Sequence, residues 1–501
     1  MQSLFDTGAL APCPTPFNLA QYVLFAGLKC PEKTALSIVS PTTHKDWSYG
    51  ALTSAILGTA TGLLESGLKP GDIMLMRLGN SVDFPIAYLG AIAAGIIPVP
   101  TSSQLTEIEV SKILAQLSPA AILRGDGIAC PNVDIPVFTA AQYEGWHDLP
   151  PAEFNLGDPN RLAYIIYTSG TSGTPRAVGH AHRAIWARQM MMDGWYDLKS
   201  DDILLHAGAF NWTYTLGTGL MDPWTRGATA LIPVDGTDPA QLALLLHRYK
   251  ASIFAAAPGV YRQILKFPSP DLPHLRHGLA AGEKLSSSLR EGWQDRTGTR
   301  IYEAYGMSEC STFISASPSA PSKAGTLGSP QHGRRIAILD DSGSPVPLGT
   351  EGVIAVHSSD PGLMLEYIGA PDATQDKFVG DWFLTGDQAM MDTDGQITYL
   401  GRNDDMMNAG GYRVSPLEVE AALHGLPGVT ELAVTDIAVK ADVRLITAFY
   451  TSAAPLDEDQ LKDIAGQRLA KYKCPRSFVR IEAMPKNPNG KLLRQRLKDS
   501  S

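Results

Sequence analysis

Across residues 47–165 the apolar positions switch repeatedly between two rhythms. From Ala51 to Leu68 and from Phe84 to Ala94 they recur at helical spacing, whereas Ile73 to Leu78 and Ile96 to Val99 are short apolar runs, the first of them announced by Gly71-Asp72. Such runs between helices suit strands buried on both faces, so the alternation predicts a parallel sheet flanked by helices. The rhythm returns over 200–305, with strands expected at Ala228 to Val234, Ile253 to Ala256 and Gly278 to Ala281. Residues 321–400 are richer in Gly and Pro. Their short apolar runs (Arg335 to Leu339, Gly352 to Val356, Gln396 to Leu400) predict a small β-rich unit. A polar segment, Asn403-Asp404-Asp405, reads as a hinge. Beyond it a helix is expected over Pro416 to Leu423, strands over Glu431 to Val439 and Leu445 to Thr451, and a helix over Asp457 to Leu469. The fold class is therefore α/β: a large N-terminal domain (1–403) of two helix-flanked sheets with the β-rich subdomain at about 321–400, then a small α+β C-terminal domain (404–501).

At 501 residues the chain exceeds one ordinary core. Its 44% hydrophobic and 18% charged residues are those of a globular protein. A net charge of −10, with no dense Lys/Arg cluster outside the C-terminus, argues against a nucleic-acid partner. Five cysteines (Cys13, Cys30, Cys130, Cys310, Cys474) have neither metal-ligand nor redox spacing, which suits reduced thiols in the cytoplasm. The first residues carry Asp6 and no basic region, unlike a signal peptide. The longest apolar stretch, near Ala87 to Val99, is too short for a bilayer, so no membrane partner is expected. Asp499-Ser500-Ser501 matches no retention or peroxisomal signal.

Chemistry enters at Tyr167-Thr168-Ser169-Gly170-Thr171-Ser172-Gly173-Thr174-Pro175-Arg176, directly after the strand-like run Leu162 to Ile166. Gly170 and Gly173 let the backbone approach a ligand, hydroxyls and freed N–H groups make a donor-rich concavity suited to polyphosphate, and Arg176 adds a permanent cation. The Gly-Lys-Ser/Thr ending of a Walker loop is absent. Alone, such a stretch is more often a linker. Four further motifs change that: Tyr302-Glu303-Ala304-Tyr305-Gly306-Met307-Ser308-Glu309; Thr385-Gly386-Asp387 followed by Tyr399-Leu400-Gly401-Arg402-Asn403-Asp404-Asp405; Asn408-Ala409-Gly410-Gly411-Tyr412-Arg413; and Pro485-Lys486-Asn487-Pro488-Asn489-Gly490-Lys491. In order and type they resemble the adenylate-forming superfamily of acyl-CoA synthetases, luciferases and peptide-synthetase adenylation domains. The resemblance runs from about residue 20 to 498.

That resemblance implies an enzyme, an AMP-forming acid–thiol ligase. A carboxylic acid and ATP give an acyl-adenylate and pyrophosphate, and the thiol of coenzyme A then displaces AMP. Two anions meet in the first step, so charge must be neutralised and the reactants held in line. The resemblance places Thr168, Ser169, Gly170, Thr171, Ser172, Gly173, Thr174 and Arg176 on the β- and γ-phosphates, and Thr171 and Glu309 on Mg²⁺. Tyr305 would stack on adenine, Glu303 would face its edge, and Gly282-Glu283-Lys284 would line the other side, with Ala304, Gly306, Met307 and Ser308 completing that wall. Asp387 would accept the ribose hydroxyls, with Tyr399 and Arg402 beside it. Lys491 is the leading catalytic candidate, with Glu309 and Arg402: its ammonium can offset charge developing between carboxylate and α-phosphate. A solvated lysine near the basic tail (Arg494, Arg496, Lys498) is the competing reading without the other motifs. The resemblance makes the C-terminal domain mobile, swinging about a hinge at Asp404 so that Lys491 leaves and Gly410, Gly411 and Tyr412 enter to form a CoA tunnel. Lys473 and Arg476 suit CoA phosphates or a solvated face equally. Acetylation of Lys491 by a lysine acetyltransferase would remove its charge, and a homodimer is compatible with the sequence.

Arg176-Ala177 stands where the family usually has Lys-Gly, and Ser308 where it has Thr. Asn211 replaces the Asp that holds an amino-acid ammonium in relatives, disfavouring amino acids. Gly306 stands where acetate-specific relatives close the pocket with Trp, and Ala304 where malonate-activating ones carry Arg. An acid pocket of Phe210, Trp212, Tyr214, Ala280, Ala281, Tyr305 and Gly306 suits an apolar acid. Pro16-Phe17-Asn18-Leu19-Ala20 and Gly411-Tyr412-Arg413-Val414-Ser415-Pro416 look most like benzoate- and medium-chain-type CoA ligases. The expected acid is aromatic, alicyclic or short-to-medium aliphatic. Two alternatives stand beside the ligase: an adenylation enzyme loading a separate carrier protein, and a non-catalytic nucleotide-binding regulatory module.

Overall fold

The apolar runs of residues 200–305 lie side by side in a computed structural model that describes residues 1–168, 176–402, 405–409, 412–440, 443–469, 471, 473–486, 490 and 492–498. The chain divides into two compact units. One holds Asp6–Arg335 and His357–Asp381; the other holds Met1–Phe5, Ile336–Val356 and Trp382–Ser501.

In the larger unit nine strands, among the described residues, form a sheet in the order Ser329–Pro330, Ser311–Ser315, Ile301–Met307, His277–Ala281, Ile253–Ala256, Ile203–His206, Thr229–Pro233, Thr34–Val39, His44–Ser48. The middle strands are parallel. They read as unbroken apolar runs because both faces are covered, and alternate residues serve opposite faces. Leu205, Phe254, Ala256 and Ala280 pack with Leu245, Tyr261, Leu289 and Trp293 of the helices Pro239–Arg248, Pro258–Ile264 and Ser287–Thr297. Leu204, Ile253, Ala255, Leu279 and Ala281 pack on the other face with Met191, Trp195 and Tyr196. A second, parallel sheet runs Ile97–Pro100, Ile73–Arg77, Ala121–Arg124, Val137–Thr139. The helix Asp83–Ala93 is apolar all round because every residue from Phe84 to Ala93 is buried in the core it shares with Tyr49–Glu65. Side-chain caps fix the helix starts: Ser48 accepts the Ala51 N–H, and Thr106 with Glu109 forms a reciprocal capping box.

A third sheet pairs Leu162–Thr168 antiparallel with Arg176–Ala181, and that strand with Glu366–Tyr367. Arg188 lies against Asp222: Nε donates to Oδ1 at 2.8 Å and Nη2 to Oδ2 at 2.5 Å, while Tyr196 Oη donates to Oδ2 at 2.7 Å. Arg188 Nη1 also donates to Ser311 Oγ at 2.5 Å, tying this ion pair to the strand Ser311–Ser315.

In the other unit, Arg335–Leu339 pairs antiparallel with Gly352–His357, and Trp382–Met391 with Ile397–Arg402. A separate sheet pairs Glu431–Lys440 antiparallel with Val443–Thr451, which runs parallel to Ser477–Arg480. Val419, Leu423, Val434, Ile446, Leu461 and Phe478 fill the core beneath the helices Pro416–Ala422 and Glu458–Arg468.

Four buried histidines of the larger unit make the fold acid-sensitive. His182 Nδ1 accepts the Leu19 N–H and His206 Nδ1 the Gly208 N–H, while His180 Nε2 meets the Ser308 carbonyl and His277 Nε2 that of Tyr196. Burial is the main cause that lowers them from 6.5, to about 4 for His180 and His277 and about 3 for His182 and His206. Unfolded imidazoles take up protons near pH 6.5, so below that pH, and down to the folded values, the unfolded chain binds more protons than the fold. Stability therefore falls as pH falls, by at most ~5 kcal/mol per unit if all four contribute. Urea midpoints should hold between pH 7 and 8 and drop steeply from 6.5 to 5. A flat profile through that lower window contradicts the four buried neutral imidazoles.

Candidate active site

Thr168 and Arg176 are cross-strand partners, so the strands Leu162–Thr168 and Arg176–Ala181 bring together the two ends of the phosphate-loop motif. Ser169, Gly170, Thr171, Ser172, Gly173 and Thr174 lie outside the described residues, as does the side chain of Thr168. The Arg176 guanidinium lies 5.7 Å from the centre of the Tyr367 ring. The Tyr367 hydroxyl donates to Glu309 Oε1 at 2.7 Å, and the Met364 N–H donates to the Glu309 carbonyl at 2.7 Å. His180 adds its bond to Ser308. The segment carrying Ser308 and Glu309 is thus tied to the strand that carries Arg176. With one carboxylate oxygen held by a phenol, Glu309 suits a hard cation that keeps several waters. Among the described residues no group of three or more His, Cys, Asp or Glu side chains could hold a metal.

Tyr367 and His180 escape sequence reasoning. Each lies in a short strand whose alternation gives no sign that its polar atom reaches a residue far along the chain. Tyr367→Phe should lower kcat/KM for ATP-dependent pyrophosphate release about 5-fold, the value of roughly one lost hydrogen bond. The loss should shrink at high Mg²⁺. A Mg²⁺-independent loss would mean that Tyr367 serves only the strand.

On the adenine side the structure gives Glu303 partners that the sequence does not suggest. Its carboxyl is buried, with Oε1 accepting the Leu285 N–H at 2.8 Å and Oε2 accepting from Arg290 Nη2 at 3.0 Å. Burial raises its pKa, and the Leu285 N–H and Arg290 only partly offset this. One oxygen thus ties this strand to the end of the turn through Gly282, Glu283 and Lys284, and the other ties it to the helix Ser287–Thr297. Gly282, at φ +92°, turns the chain out of the strand His277–Ala281. Tyr305 is half-buried, edge-on to Phe313 with ring centres 5.3 Å apart; Ala304 is packed in the sheet core, Met307 is half-buried and Ser308 exposed. Gly306 has a reason of its own to lack a side chain: a Cβ there would come 2.0 Å from the Ser311 carbonyl, at the irregularity between Tyr305 and Gly306.

The acid pocket comes together only in part. Trp212 and Tyr214 are half-buried, with ring centres 5.1 Å apart at 87°, and Tyr214 packs against the cluster that contains Ala281. Ala280 does not join them, because the next residue along a strand faces the other way, and it packs with Phe254 and Tyr261. Phe210 is a core residue, buried with Phe84 and Leu216. His206 takes a place that the sequence does not suggest, with its ring centre 4.5 Å from that of Tyr214 and 5.9 Å from that of Trp212.

In the second unit Asp387 and Arg402 are in register on adjacent strands, and the Tyr399 hydroxyl donates to Asp387 Oδ1 at 3.1 Å. Burial first, and then Asp387, raises the Tyr399 phenol well above 10.0, so it stays a donor. Asp404, Gly410, Gly411 and Lys491 lie outside the described residues, as does the side chain of Tyr412, whose backbone belongs to the strand Tyr412–Val414. Lys486 and Leu492 form an antiparallel bridge, and Arg494 forks onto Glu420, with Nη1 to Oε1 at 2.5 Å and Nη2 to Oε2 at 3.3 Å. Lys473 is ion-paired with Glu418.

Comparison with known proteins bears on this arrangement. A family model described as AMP-binding enzyme matches residues 26–368, and one described as AMP-binding enzyme C-terminal domain matches residues 418–491. The chain is 28% identical to acyl-coenzyme A synthetase ACSM3, mitochondrial, of Rattus norvegicus, over 97% of this chain and 90% of that protein. It is 30% identical to acyl-coenzyme A synthetase ACSM1, mitochondrial, of Mus musculus, over 90% and 85%. Among solved structures it superposes on ATP-bound MatB from Rhodopseudomonas palustris with a TM-score of 0.89, at 25% identity over 97% of this chain and 99% of that one. A benzoate CoA ligase from Burkholderia xenovorans gives a TM-score of 0.85, at 26% identity over 96% and 100%.

Proposed function

The chain belongs to the AMP-binding enzyme family, as an ATP-dependent acid–CoA ligase, and from that premise we propose that its acid is aromatic, alicyclic or short-to-medium aliphatic. The observation that carries the reading is the half-buried Trp212–Tyr214 wall beside the small Ala281, at the carboxyl ends of parallel strands, where α/β sheets take their ligands. Asn211 and Ala304 leave this neighbourhood without the Asp or Arg that an amino acid or a dicarboxylate would need. The name of one structural relative, a benzoate CoA ligase, supports the same direction.

In this reading the acid carboxylate attacks the α-phosphorus of ATP and pyrophosphate leaves. The thiolate of coenzyme A then attacks the acyl carbon and AMP leaves. Asp387 and Tyr399 hold the ribose, Arg402 offsets phosphate charge, and Lys491 stabilises charge in the first half-reaction only, with Gly410, Gly411 and Tyr412 serving the second about a hinge at Asp404. Glu309 and Thr171 are the residues that would hold Mg²⁺, which neutralises phosphate charge when bound. We place the enzyme in the cytoplasm. All five cysteines are free thiols, and no described helix is long and apolar enough to cross a membrane. A homodimer and acetylation of Lys491 by a lysine acetyltransferase are further parts of the proposal.

The experiment is pyrophosphate release from ATP and Mg²⁺ across acetate to octanoate, benzoate, cyclohexanecarboxylate, malonate and several amino acids, with and without coenzyme A. CoA-dependent turnover on one apolar class is expected. Fastest turnover on malonate or an amino acid would overturn the substrate reading. Thioester formation on a pantetheinyl carrier but not on coenzyme A would favour the carrier-loading alternative. ATP binding without turnover would favour a regulatory module.

A further inference from the structure

We propose that the preferred acid carries one hydroxyl or oxo oxygen on its otherwise apolar body, and that His206 and Tyr214 read that oxygen. The inference rests on the acid pocket described above and narrows its substrate class.

His206 ends the strand Ile203–His206 and is fully buried. Its tautomer follows from its neighbours. The Gly208 backbone N–H, which can only donate, lies 2.9 Å from Nδ1, so that nitrogen holds the lone pair; Thr215 Oγ1 lies 3.2 Å from the same atom. Burial keeps the ring neutral at working pH. A neutral imidazole carries one proton, which therefore sits on Nε2. Glycines on both sides fix the ring: a Cβ at Gly208 would lie 2.9 Å from His206 Cε1, and one at Gly219 would lie 2.8 Å from His206 Cβ.

The Nε2–H so defined is buried and has no hydrogen-bond partner, and the same is true of the Tyr214 hydroxyl. The two rings are 4.5 Å apart at 79°. Buried polar groups are nearly always paired, so two orphans on adjacent rings at a ligand site call for a shared partner. The chemistry of that partner is constrained. Nε2–H only donates, so the partner must accept, which excludes an ammonium. Neither reader is charged, so a second carboxylate would be buried without a cation. A hydroxyl or carbonyl oxygen can accept from Nε2–H and bond the phenol together.

The test is the ratio of kcat/KM within matched pairs: 3- and 4-hydroxybenzoate against benzoate, and 5-oxohexanoate against hexanoate, with coenzyme A present. The parent enzyme should favour at least one oxygenated member by tenfold or more. Tyr214→Phe, which removes a single oxygen atom, should cut that ratio about tenfold, because a site built to bond an oxygen discriminates against analogues that lack it. His206→Phe should do the same; it also strips the Gly208 N–H of its acceptor, so Tyr214→Phe is the decisive variant. Plain acids turning over at least as well as every oxygenated partner, or a ratio unchanged in Tyr214→Phe, overturns the inference while the apolar-acid reading stands. An internal water then fills the role. Absence of turnover on all members overturns both.

Discussion

Lys491→Ala is expected to lower pyrophosphate release from ATP and acid by about 10²–10³-fold, the usual value of one donor aimed at developing charge. The same protein given pre-formed acyl-adenylate and coenzyme A should make thioester at close to the parent rate. The asymmetry follows from charge. In the first step a carboxylate approaches a polyphosphate and negative charge gathers between them, whereas in the second a thiolate displaces a phosphate monoester already made. Acetylated protein should behave like the alanine variant, because both lack the cation. Rapid-quench measurement of the two half-reactions separates them. Equal loss in both would end the division of labour.

The second large effect is on stability. Asp222→Ala should lower the unfolding free energy by about 3–5 kcal/mol, because it strands a buried guanidinium. Burial alone would lower the Arg188 pKa, but Asp222 and Tyr196 more than offset it and the net shift is upward, so the guanidinium stays charged. Both Asp222 oxygens are taken by Arg188, and one also by Tyr196. Replacing both partners with apolar residues, Arg188→Met with Asp222→Leu, should restore much of the loss, since a buried ion pair contributes little over a well-packed apolar substitute. Urea titration at pH 7 reads all three proteins. A loss under ~1 kcal/mol in Asp222→Ala would mean that water reaches the guanidinium.

How far the sequence is legible follows from where the signal resides. The strand Ile253–Ala256 and the helices Tyr49–Glu65 and Asp83–Ala93 appear within a few residues of their expected places, since each is a continuous run or a helical period. The strand Arg176–Ala181 gives no such sign. It is paired on both sides and buried, but its small and polar residues (Ala177, Gly179, His180) carry no alternation. The π-helical turns Met192–Tyr196 and Thr215–Met221 leave no separate mark either. Among the candidate residues, the motifs name Glu309, Asp387 and Arg402 because chain order preserves them. Tyr367, His180 and His206 reach their partners only through tertiary packing. The pocket positions show the same limit: Ala280 and Ala281 are adjacent in sequence, and only strand geometry sends them to opposite faces.

The placement of Arg176 over the Tyr367 ring gives the departure from the family's Lys-Gly pair a meaning of its own. A planar guanidinium can lie over a ring whose hydroxyl orients Glu309, and a lysine ammonium has no face to offer it. Restoring the majority residue by Arg176→Lys is then no repair. Treating position 176 as independent of position 367 would keep the charge and lose the planar group beside the ring.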